Sequence, residues 1–354
     1  RKLPDVEGRT HRDTRDGMVK GLWQRGLTER LGDLARDPDS PVQGVGVGHS
    51  RLNPVSGADT AWASPVLGRE AEALSLLATE LERARRFGLL PDELARAKQA
   101  SAEGMRRSYA DRDTQESRAA LQELLRNYTN GEAVPGIAYE LAMQNAMLDG
   151  ITLDEVNAYG AGFLGPGSAV ALVSQPERAD VPKLSEADLR AALAAPASAE
   201  LDPPVAVVVP TTLVADPPAP AGVILTRSLP EVGGVEWTLS NGARVILKPT
   251  DFKADEVRFS AFAPGGHGDL PDADWMPART ATQVLNESGL ADFDKTQISR
   301  FLAGRTASAS AYIGESTHGL SGSAAPADLE VALQLAYLTA TRPRFTDSGF
   351  AVAQ

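Results

Sequence analysis

The stretch "VEWTLSNGARVILKPTDFKADEVRFSAFAPGG", residues 235–266, carries the fold signal in this chain. Asn241-Gly242 is its strongest short hairpin mark, because both residue types tolerate the positive φ of a tight two-residue turn. Trp237 and Leu239 alternate before the turn, and Val245 and Leu247 alternate after it. Val257, Phe259 and Ala261 then share one face of a third strand, since strand side chains alternate between faces. The run predicts a hairpin followed by another strand.

Toward the C-terminus, the pattern predicts a helix at 275–288 and a short one at 295–303. The run "TASASAYIGESTHGLSGSA" at 306–324 reads as a pair of strands. Pro326 opens a helix carrying Leu329, Leu333 and Leu338. Toward the N-terminus lies "ELDPPVAVVVPTTLVADPPAPAG", with prolines at 203, 204, 210, 217, 218 and 220. Proline at that density removes backbone donors and stiffens the chain. Residues 200–230 are therefore expected to link a first unit, 1–199, to a second, 231–354.

The first unit reads as mostly helical. Met18, Leu22, Leu27, Leu31 and Leu34 recur at helical spacing over 14–36. "PVQGVGVGHSRL" reads as a strand, and a long helix is expected from about Pro65 to a stop at Gly88. Pro91 suits the first turn of the next helix, with more helix at 112–129 and 134–149. Thr152 with Glu155 has capping-box spacing, and Ser185 begins a last helix. "SAVALVS", 168–174, is expected to be a short strand. The order of elements predicts an α+β fold: mixed layers with an antiparallel-rich sheet, helices on one sheet face, and a Pro-rich linker between two units.

Composition excludes several functions. The chain has 354 residues, 42% of them apolar, and a net charge of −12. That charge opposes nucleic-acid binding, which depends on Lys and Arg neutralising phosphates. No apolar run reaches the roughly 18 residues of a membrane span. With no cysteine, disulfides, thiolate catalysis and Cys-ligated zinc are excluded. The opening "RKLPDVEGRT" has neither Met nor a signal-like apolar run, so a piece of a longer protein is expected.

A search for chemistry finds little. The four histidines, His11, His49, His267 and His318, are far apart in sequence and make no H-x-x-x-H pair. They read as single surface or turn residues. "HGLSGS" at 318–323 fails G-x-S-x-G because Ser323 stands at the last position. "GVGVG" at 44–48 reads as strand, not as a nucleotide loop. "RARRFG" and "EGMRRSYADRD" read as solvent-facing charge, the first of them complementing a helix dipole. On the 275–288 helix, Thr280, Gln283, Val284 and Glu287 share a face, while Ala278, Ala281 and Leu285 form the expected packing side. Glu287 is the one natural zinc ligand there, and a single carboxylate does not hold zinc.

Four segments, in order, resemble the pitrilysin/insulinase family of zinc metallopeptidases. They are "LERARRFGLLPDELARAKQ", "LSNGARVILKPTDFKADEVRFSAFAPGG", "SGLADFDKTQISRFLAG" and "GLSGSAAPADLEVALQLAYLTATRPRF". The resemblance implies repeated α/β domains around a chamber. It also implies an H-x-x-E-H zinc helix, in which the glutamate activates a metal-bound water for attack on a peptide carbonyl. Laid on that motif, the first histidine position holds Thr280, the glutamate position Gln283 and the second histidine position Val284. It therefore implies an inactive segment, with 1–199 the later part of a second repeat and 231–354 the front of a third. No catalytic, cofactor or metal residue is expected in this chain, which alone should be inactive. Zinc belongs to a catalytic domain elsewhere in the same polypeptide, and peptides or unfolded proteins are the implied substrates. Bacterial relatives imply export to the periplasm. A scaffold of the same fold without peptidase activity is the second expectation, and an unrelated two-domain binding protein the third.

Overall fold

The computed structural model describes residues 2–4, 10–37, 39–53, 56–163, 170–178, 181, 183–253 and 255–353. In the first part of the chain, β1 (Lys2–Pro4), β2 (Val42–Asn53) and β3 (Ser56–Pro65) form an antiparallel sheet in the order β1-β3-β2. Six helices follow: α2 (Glu70–Phe87), α3 (Pro91–Ala110), α4 (Ser117–Asn130), α5 (Ile137–Met147), α6 (Leu153–Gly162) and α7 (Glu186–Ala194). The helix before β2, α1 (His11–Leu34), begins with a capping box between Thr10 and Asp13. Thr152 caps α6 in the same way, as its spacing from Glu155 predicts, and Ser185, expected to begin α7, caps it with Asp188.

The apolar stripe of α1 is the spine of this part. Trp23, Leu27 and Leu31 are fully buried against Val42 and Val45 of β2, Leu77 of α2 and Leu94 of α3. Trp23 packs on Phe163, with ring centroids 4.5 Å apart, and edge-on to Tyr159 at 5.6 Å. A Cβ at Gly160 would lie 2.0 Å from Trp23 Nε1, so glycine is what lets α6 approach. Below this core Arg30 donates two hydrogen bonds to Glu93 and one to the Gly88 carbonyl, and both charged side chains are buried. In contrast, Leu121, Leu124, Leu125 and Tyr128 of α4 all face outward.

The later part holds two further antiparallel sheets. The first is β4 (Val223–Leu229), β5 (Gly234–Leu239) and β6 (Arg244–Leu247), in that order. The second orders β7 (Val257–Pro264), β9 (Thr317–Ala324) and β8 (Ala307–Ile313) as β7-β9-β8. Helices α8 (Asp272–Ser288), α9 (Lys295–Phe301), α10 (Leu329–Thr341) and α11 (Asp347–Ala353) complete it. Both α8 and α10 pack on the β7-β9-β8 sheet. Its core is Leu285, Leu290, Ile298, Phe301, Leu335 and Leu338. The architecture is α+β with small antiparallel sheets and packed helices, as the order of elements predicts.

Several local expectations are corrected. The hairpin turn is not a two-residue turn, because Gly242 alone takes positive φ, 86°, and Asn241 does not. Gly242 N donates to Leu239 O, and Leu239 N donates to Ala243 O. That is a three-residue loop closed by a glycine bulge. The hairpin pairs with β4 and not with the strand after it. Residues 168 and 169 of the expected "SAVALVS" strand lie outside the described residues, and 170–174 form no strand. Val170 and Leu172 are exposed there, and no strand among the described residues pairs with them. Pro65 ends β3 instead of starting a helix, and α2 begins at Glu70. The helix expected at 112–129 breaks at 111–116 and starts at Ser117.

The 200–230 segment is less free than its prolines imply. Residues 223–229 are strand β4. Leu213 is buried in the second core, with Val209 and Val214 against it. "RARRFG" grips the approach to this segment: Arg83 donates to Asp202 O, and Arg86 donates to the carbonyls of Pro196, Ala197 and Ala199. Those arginines therefore hold chain instead of facing solvent.

Candidate functional site

Two open clefts lie where the early and late parts meet, the larger lined from α1, β2, β3, α8 and α11, the smaller from α1, α3 and the loop after α9. The larger, about 720 Å³, is floored by Gly44 and Val45 of β2 with Trp62 of β3, and walled by Gln283, Asn286 and Glu287 of α8. The smaller, about 450 Å³, lies between α3 and the loop after α9. It is lined by Arg25, Glu103, Arg107, Asp111 and Arg305.

Ion pairs fasten the boundary. Arg300 of α9, a buried residue, donates through Nε and Nη2 to Asp33 Oδ2 of α1, at 3.1 and 2.5 Å. Asp33 also receives Arg36. Arg106 bridges Glu103 and Asp255 at 2.9 Å each. Arg107 donates to Thr306 Oγ1, and that hydroxyl donates to Glu103. The hydrogen bond from Arg106 is the main reason that the Glu103 carboxyl titrates below its ordinary range. "EGMRRSYADRD" is therefore a bridge between the two parts and not the solvated charge run that its composition suggests.

The helix implied to be a degenerate zinc helix is α8. Thr280 Oγ1 donates to the carbonyls of Met276 and Pro277. Gln283 is exposed toward the larger cleft, and Val284 is buried. Glu287 is paired with Lys295 at 3.8 Å. The packing side runs through Val284, Leu285 and Ser288, so Val284 belongs to it and not to an open face with Gln283. Helix α11 covers that side closely: a Cβ at Gly349 would lie 2.1 Å from Ser288 Oγ.

The histidines are dispersed. His11 bonds the Tyr139 hydroxyl at 2.7 Å. His49 Nδ1 contacts the buried Asp59 carboxylate at 2.9 Å, and Tyr159 donates to the same oxygen at 3.4 Å. Burial raises the Tyr159 hydroxyl above its ordinary range. His49 is thus part of a half-buried polar cluster and not a lone surface residue. His267 opens a short 3-10 helix, His267–Asp269, and packs edge-on to Trp275, and His318 Nδ1 meets Gly265 O at 2.8 Å. Among the described residues no group of three or more His, Asp or Glu could hold a metal ion.

No protein-family model matches the chain. A zinc protease PQQL-like protein of Arabidopsis thaliana is 24% identical over 336 residues, which is 95% of this chain and 30% of that protein. The likeness supports the pitrilysin/insulinase family of zinc proteases. The family fold recurs in a solved ferredoxin protease, FusC, captured with Arabidopsis ferredoxin, at 18% identity and a TM-score of 0.53. That match covers 99% of this chain and 39% of FusC. The first half of the periplasmic protease PqqL from Escherichia coli aligns at 13% identity and a TM-score of 0.50, over 58% of this chain and 44% of that one. The chain thus spans 30–39% of the length of the relatives it matches almost end to end. No helix among the described residues is long and apolar enough to cross a membrane.

Proposed function

We propose that this chain is a non-catalytic segment of a zinc metallopeptidase that degrades peptides or unfolded proteins. It contributes chamber wall, substrate contacts and a hinge, with residues 1–199 from a second repeat and 231–354 from a third, inactive one. The observation that carries the reading is α8: where the family's zinc helix has two histidines and a glutamate, this helix has Thr280, Gln283 and Val284. Thr280 is turned back onto its own helix, Val284 is packed away, and Gln283 has no carboxylate to activate water. Zinc in the parent then belongs to a catalytic domain outside this chain. The periplasmic relative supports export.

The hinge has a definite cost to overcome. Movement at the 200–230 segment must break the Arg300–Asp33 pair and pull Leu213 from its core. A second reading, a scaffold of this fold with no peptidase activity in the parent, draws on the same larger cleft, which holds neutral hydrogen-bonding groups and one carboxylate, Glu287, already paired with Lys295. The test is hydrolysis of unfolded casein by the purified chain. No cleavage is expected with or without added zinc, and cleavage abolished by a chelator would overturn the non-catalytic reading. An H-x-x-E-H motif elsewhere in the full polypeptide separates peptidase segment from scaffold.

A further inference from the structure

We propose that the larger cleft binds an extended, uncharged peptide segment, with Trp62 as its platform and the carboxamides of Gln43, Gln283 and Asn286 as its hydrogen-bonding partners. The proposal deepens, and rests on, the reading of this chain as a wall with substrate contacts. Its floor explains the repeated glycines of "QGVGVGH", residues 43–49. Trp62 stands opposite Gly46 in the β2–β3 ladder. A Cβ at Gly46 would lie 3.0 Å from Trp62 Nε1, and one at Gly44 would lie 3.5 Å from the ring. The glycines therefore let the indole lie across the neighbouring strand, and Trp62 is still 53% exposed. A large aromatic held in one pose and left open is what a binding surface uses as an anchor, because little conformational entropy remains to be lost.

The polar lining sets the class of ligand. The charges around the cleft already have partners: Arg36 is paired with Asp33, and Glu287 with Lys295. The side-chain carboxamides of Gln43, Gln283 and Asn286 have no hydrogen-bond partner among the described residues, and all three are exposed at the cleft. Each carries a donor and an acceptor, the complement of a peptide group's C=O and N–H. A charged segment would lose hydration on entering and find no unpaired counter-charge. A neutral extended segment loses less and satisfies its backbone. The volume, about 720 Å³, falls within the roughly 300–1,000 Å³ of small-ligand sites.

The test is fluorescence anisotropy of the full chain with a fluorescein-labelled peptide, Gly-Gln-Leu-Ser repeated three times and capped at both ends. Saturable binding is expected. Trp62→Ala should weaken it about tenfold or more, the usual effect of removing an aromatic anchor. The double variant Gln283→Ala with Asn286→Ala, at exposed helix positions that leave the fold intact, should weaken it about fivefold. Replacing the glutamines of the probe by aspartates should also weaken it. Absence of saturable binding, or equal affinity of wild type and both variants, would overturn the cleft. Equal or tighter binding of the aspartate probe would overturn the neutral class. Chelator-sensitive casein cleavage would sink the non-catalytic reading and leave the binding result standing; lost peptide binding without any cleavage does the reverse.

Discussion

The two clefts at the boundary share helix α1 and behave oppositely. The smaller is lined with charge, and much of that charge is used by the protein itself: Arg106, Glu103, Asp255, Arg107 and Thr306 are bonded to one another across the boundary. The larger has its charges paired at the rim and leaves neutral amides and an indole open. Charged groups placed at an internal boundary fasten it, because each finds its counter-charge there. Neutral hydrogen-bonding groups left without a partner keep a surface available. In this molecule the first arrangement holds two parts together and the second faces outward for something else.

That contrast breaks first at its strongest bond. Asp33→Ala leaves Arg300 buried without a counter-charge and should cost about 3 kcal/mol, the low end for breaking a buried pair. Urea unfolding checks it, and a loss under about 1 kcal/mol would mean that Arg300 does not fasten the boundary. Arg106→Ala should cost less, about 1 kcal/mol, because the Arg106 side chain is half exposed and exposed pairs contribute little.

Acid should affect the two clefts differently. The Glu103 carboxyl is held below its ordinary value of 4.5 in the folded chain, first by its hydrogen bond from Arg106. A depressed carboxylate stabilises the fold fully above its unfolded value and loses that contribution as pH falls through the folded one. Thermal unfolding of wild type should therefore lose more on acidification below about pH 4.5 than Arg106→Ala does. The carboxamides of the larger cleft do not titrate, so peptide affinity should stay flat between about pH 5 and 8. The smallest effect is on stability in that cleft: Gln283→Ala, at an exposed position, should stay within about 0.5 kcal/mol of wild type.

Much of the fold was legible where chemistry is local. Thr10, Thr152 and Ser185 are caps that follow from residue type and spacing, although only the latter two were read from the sequence. The stripe on α1 and the glycine stop at Gly88 were equally plain. What stayed hidden depends on distant partners. Strand β3, "SGADTAWASP", has weak apolar alternation and exists because its backbone pairs with β2 along most of its length. The arginines of "EGMRRSYADRD" look solvated until Asp255 and Thr306 arrive from some 150 to 200 residues away. The candidate site was half legible. Spacing on α8 named Gln283 and Glu287, and the family pattern gave Thr280, Gln283 and Val284 their meaning. Trp62 and Gln43 entered only through the fold, since no local signal joins a tryptophan to glycines 16 and 18 positions earlier.

The non-catalytic character of α8 is tested most directly by metal analysis of the purified chain after dialysis against zinc. Well under one zinc per chain is predicted, unchanged by His267→Ala or His318→Ala. One tightly held zinc per chain, lost in either variant, would contradict it.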